Sequence, residues 1–96
     1  IKVSEPAVDL GVILSVASSF KNLSIPNDTV VVGEVGLTGE VRSVNLIDKR
    51  LKEIEKLGFK TCIIPESNKK VLKEKYKLDI IGVKNINEAM QKLGLR

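Results

Sequence analysis

Apolar and polar positions follow different rhythms in the two halves of the chain. Between Glu5 and Phe20, Val8, Leu10, Val12, Ile13, Leu14, Val16 and Ala17 fall on nearly every side of a helical wheel. A helix that is apolar all round is buried in a core. The pattern predicts a helix over Glu5–Phe20, with Ser4 as its N-cap and Pro6 in the first turn, where a missing N–H costs little. Lys21–Asp28 reads as a loop marked by Asn22, Pro26, Asn27 and Asp28. Thr29–Val35 is rich in β-branched residues and reads as a strand. Gly36–Gly39 reads as a turn and Glu40–Val44 as a second strand, so the pair is expected to form a hairpin.

The second half is more regular. Ile47, Leu51, Ile54 and Leu57 recur at spacings of three and four, which predicts an amphipathic helix over Asn45–Leu57. Asn45 is the expected cap, with Asp48 three residues on, and Gly58 the expected stop. Phe59–Pro65 reads as a buried strand, Ser67–Tyr76 as a short helix and Leu78–Val83 as another strand. Asn85–Leu93 reads as a last helix opened by a capping-box-like pair, Asn85 and Glu88. Strands joined through a helix pair in parallel, so the runs around Ile63 and Ile80 are expected neighbours. The fold class is α/β, shading into α+β. Four short strands and three smaller helices are thin cover for the first helix. The expectation is therefore that residues 1–96 are a single fragment, the C-terminal part of a larger domain with more sheet upstream.

Composition narrows the chemistry. Of 96 residues, 43% are apolar but only 3% aromatic, so one core built on Val, Ile and Leu is expected. Cys62 is the single cysteine and lies in an apolar run; it is expected as a buried small hydrophobe in a reducing, cytoplasmic setting. Histidine is absent, which rules a Ser-His-Asp triad out of this chain and, with one cysteine, argues against a zinc site. The longest apolar pattern, Val8–Phe20, is interrupted by Asp9 and three serines and is too short to span a bilayer, so no membrane contact is expected. No targeting pattern is visible at Ile1.

The formal net charge of +4 permits contact with phosphate without requiring it. Lys49, Arg50, Lys52 and Lys56 lie opposite the apolar stripe of their helix and are the candidate nucleic-acid contacts. Lys69, Lys70, Lys73, Lys75 and Lys77 crowd the next predicted helix. Glu53, Glu55, Glu66 and Glu74 are mixed among them, as on an ordinary solvated face. No aromatic residues interleave, which argues against base stacking.

Two stretches carry a family resemblance: Glu5-Pro6-Ala7-Val8-Asp9-Leu10, and Gly33-Glu34-Val35-Gly36-Leu37-Thr38-Gly39-Glu40-Val41-Arg42. Ile47–Glu53, Leu57–Lys60 and Ile63–Pro65 continue it in order and without gaps. The chain resembles the Lon-protease-like domain of the RadA (Sms) family of bacterial DNA repair proteins, over about the C-terminal half of that domain. The resemblance implies a Lon-protease-like, ribosomal protein S5 domain 2-like fold.

It also implies where the relic of a Ser-Lys peptidase site lies. With Pro6 and Gly33-Glu34 as anchors, the nucleophile position falls on Ala7, the motif's glycine on Asp9 and the lysine on Asp48. A working dyad needs a hydroxyl beside a lysine of depressed pKa, so the resemblance implies no catalytic residues and no enzyme activity for this chain. Ser4 and Lys49 are the nearest substitutes; Lys49 projects about a hundred degrees around the helix from the old site, and Ser4 more simply caps. Asp48 and Asp9 are each accounted for by a helix N-terminus, which favours negative charge.

The family's ATP, magnesium and zinc belong to upstream domains, and this chain itself is expected to hold no cofactor or metal. The implied role is a scaffold for a homo-oligomer, a hexameric ring, in a protein that acts on DNA in repair and recombination. Two other readings stand beside it. One is a divergent Ser-Lys peptidase. The other is a DNA-contacting module of the ComM and magnesium-chelatase-related ATPases, which share the Gly-Glu-x-x-Leu-Thr-Gly-like turn but match less well at Glu5–Leu10.

Overall fold

The structure, a computed structural model, describes residues 5–95. A 3-10 turn at Pro6–Val8 leads into α1 (Asp9–Phe20). Then come β1 (Thr29–Val31), β2 (Glu34–Val35), β3 (Val41–Arg42), α2 (Ile47–Lys56), β4 (Thr61–Pro65), α3 (Glu66–Lys69), β5 (Asp79–Val83) and α4 (Ile86–Lys92).

β4 is the axis of the fold. It pairs in parallel with β1 on one side, Thr29 opposite Thr61, and with β5 on the other, Thr61 opposite Asp79. Side chains on a strand alternate between faces, and β4 shows this in its two neighbourhoods. Cys62 and Ile64 join Ala7, Val32, Ile47, Leu51, Ile54 and Leu78 in one cluster. Ile63 joins Leu10, Leu14, Val41, Val83, Ala89 and Leu95 in the other. The parallel sheet thus carries α2 on one face and α1 with α4 on the other, the covering on both faces that parallel sheets need. This is the α/β arrangement the sequence predicts, and the expected β4–β5 pairing is present. The pairing of β1 with β4 is an addition that no local pattern announced.

Several elements depart from expectation. The predicted strand Thr29–Val35 divides. Val32 still donates to the Ile63 carbonyl at 2.9 Å, but the Gly33 N–H turns to the Ala7 carbonyl at 2.8 Å, and the Gly33 carbonyl accepts from Leu10 N–H at 3.0 Å. Gly33 permits this close approach: a Cβ there would lie 3.0 Å from Val41 and 3.1 Å from Leu10. Only the second piece, β2, forms the expected hairpin with β3, Glu34 opposite Arg42. The first helix is likewise shorter, because Pro6–Val8 is a separate 3-10 turn. Its predicted cap, Ser4, lies outside the described residues.

The first helix is also not buried all round. Leu10 and Leu14 are fully buried, whereas Val12, Val16 and Phe20 are exposed, Phe20 to 94%. The predicted helix over Ser67–Tyr76 ends at Lys69. Beyond it, Lys70, Lys73, Lys75 and Lys77 accumulate like charge, and only Leu72 and Tyr76 reach the core cluster, too little apolar surface to hold a longer helix.

Asn45 does not cap α2. The cap position is Leu46, in the left-handed backbone region at φ 56°, without a side-chain bond. That conformation costs a leucine roughly 1–2 kcal/mol. By contrast, Asn85 caps α4 as expected: its Oδ1 accepts from Glu88 N–H at 2.9 Å. The Glu88 carboxylate bonds back one residue earlier than a capping box requires, to Lys84 N–H at 2.9 Å.

Candidate functional site

Ala7 and Asp48, the two positions of the expected relic, are engaged separately: Ala7 belongs to a core cluster that Asp48 does not join, although Tyr76, the partner of Asp48, packs against it. Ala7 sits on the 3-10 turn before α1. Its carbonyl is fixed by Gly33, and its methyl is buried against the cluster that contains Ile47 and Leu51 of α2. A shallow depression of about 320 Å³ opens beside it, lined by Glu5, Pro6, Ala7, Glu34, Ser43, Val44 and Asn45. Asp48 does not line it. Instead its carboxylate accepts a short hydrogen bond from the Tyr76 hydroxyl, which also approaches the Asp48 carbonyl at 3.3 Å. Burial, reinforced by that carboxylate, pushes the Tyr76 phenol well above its usual range and keeps it in the donating form.

Among the described residues that line the depression beside Ala7, no side chain pairs a hydroxyl with a lysine. The one hydroxyl in the depression, Ser43, shares a hydrogen bond with Ser67. The carboxylates there belong to Glu5 and Glu34, and no lysine lines the depression. Lys49 is exposed on α2. Ser4 lies outside the described residues. Among the described residues, no group of three or more His, Cys, Asp or Glu side chains is placed to hold a metal ion.

The basic face of α2 divides in two. Arg50 turns inward: its Nη2 bonds Glu5 Oε1 at 2.9 Å and Asn45 Oδ1 at 2.8 Å, while its Nε donates to the Asn45 carbonyl at 2.8 Å. Three bonds make Arg50 a latch between α2, the loop before it and the turn that carries Ala7. Lys52 pairs with Glu74 at 3.0 Å. Lys49 and Lys56 are exposed and carry no ion pair among the described residues.

Two positioning residues were missed from the sequence. Asn68, the one buried polar side chain among the described residues, accepts from Val44 N–H at 2.8 Å and donates to its carbonyl at 3.1 Å, standing in for a neighbouring strand. Tyr76, the only tyrosine, anchors Asp48 from a lysine-rich loop. Its lone aromatic character there was the available signal; Asn68 offered none. Cys62 matches the expected burial: it is fully buried, and burial pushes its thiol up to about 12.

The fold and this geometry belong to a defined class. Residues 1–68 match the family model described as subunit ChlI of Mg-chelatase, and the chain belongs to that family. Within it, the similarity runs to proteins named DNA repair protein RadA. The chain is 45% identical over 91 residues to the one from Halalkalibacterium halodurans and equally to the one from Bacillus subtilis, 95% of the chain in each case. It is 44% identical over 91 residues to that from Aquifex aeolicus. The match falls in the C-terminal region of these relatives, and the chain spans about a fifth of their length. No helix among the described residues is long and apolar enough to cross a membrane.

Proposed function

We propose that this chain is the non-catalytic scaffold part of a RadA-type, ATP-dependent DNA repair and recombination protein of the cytoplasm. The observation that carries the non-catalytic reading is the fate of the two dyad positions. Ala7 offers only a methyl, and the Asp48 carboxylate is committed to Tyr76. The repair role follows from the relatives named above. ATP, magnesium and zinc are assigned to other parts of the polypeptide, and the homo-oligomeric ring and its DNA to the assembled protein. The exposed face of α1 supports a domain that is larger than residues 1–96, since a monomer rarely leaves such a stripe to water.

A DNA-contacting module of a ComM or magnesium-chelatase-related ATPase is the second reading, and the family model favours it. The RadA relatives match beyond residue 68 and over nearly the whole chain, which places that reading second. DNA contact through α2 is weaker than its composition suggests, because Arg50 and Lys52 are already paired.

The test uses the intact polypeptide. Unstructured casein should survive incubation, a fluorophosphonate probe should label no serine in this region, and Ala7→Ser with Asp48→Lys should remain inactive. Deleting residues 5–95 should lower the number of subunits per particle, read from the sedimenting mass divided by the mass of the shortened polypeptide. Cleavage that depends on Lys49 would establish a peptidase, and an unchanged subunit number after deletion would remove the scaffold role.

A further inference from the structure

We draw no further inference here: the strongest candidate, the apolar groove that Val8, Val12, Ile13, Leu37 and Ile86 form between α1 and the β2–β3 hairpin, carries nothing because nothing in the structure shows what covers it.

Discussion

α1 and α2 are the two long helices of the molecule, and they invert a common intuition. α1 is the more hydrophobic in sequence yet leaves Val12, Val16 and Phe20 exposed. α2 is strongly polar on average yet buries Ile47, Leu51 and Ile54. Total apolar content says how much a helix would gain from cover; the arrangement of that content says whether one neighbour can provide it. α2 concentrates its apolar residues on one stripe, and one sheet face suffices. α1 spreads them, so one sheet face satisfies Leu10 and Leu14 and leaves the remainder.

The sharpest way to break this comparison is a matched pair of truncations. Leu51→Ala should cost about 2–5 kcal/mol, the range for a fully buried leucine, in a denaturant titration. Val16→Ala, 63% exposed, should fall within about 0.5 kcal/mol of the parent. Losses of similar size would mean that the outer face of α1 is covered in solution.

Asn68→Ala probes how α2 is held rather than how it packs. It leaves the Val44 N–H and carbonyl without their partner, at a cost of about 1–3 kcal/mol. Amide exchange should accelerate at Val44 and through the first turn of α2, with α1 unaffected. A uniform loss of protection would show that Asn68 supports the whole core instead.

The smallest effect is electrostatic and local. Glu40 accepts bonds from the Thr38 hydroxyl and Arg42, and these hold its carboxyl down at about 2, below the usual 4.5. A depressed carboxyl contributes stability that is present above its ordinary range and lost as pH falls toward 2. An NMR titration should place the Glu40 midpoint near 2, with the hairpin loosening in that window. Thr38→Ala should raise the midpoint, Thr38 being the largest contributor. A midpoint unmoved by that substitution would assign the depression to the Glu40 backbone N–H and Arg42 instead.

The same contrast explains what could be read from sequence. The stripe of α2, the β4–β5 pair and the Asn85 cap follow from local spacing and local chemistry. What escaped depends on partners far along the chain. Gly33 breaks its strand because Ala7 and Leu10 claim its backbone. Asn45 fails to cap because Arg50 occupies its side chain. Leu57 completes the periodic stripe yet is exposed, because α2 ends just before it. Ala7 and Asp48 were placed by family resemblance; that Tyr76 would take the Asp48 carboxylate was beyond any spacing rule.

The central position of β4 also sets a timetable. Its two neighbours lie on opposite sides of it in sequence, and β1 cannot make its pairing with β4 until Thr61–Pro65 has been made. As the chain emerges from its N-terminus, α1, β1 and the hairpin therefore wait while α2 is synthesised. Non-local pairing of this kind slows folding and prolongs the exposure of apolar segments. The nascent first half, with the stripe of α1 still open, is the stage at which a chaperone would have most to hold.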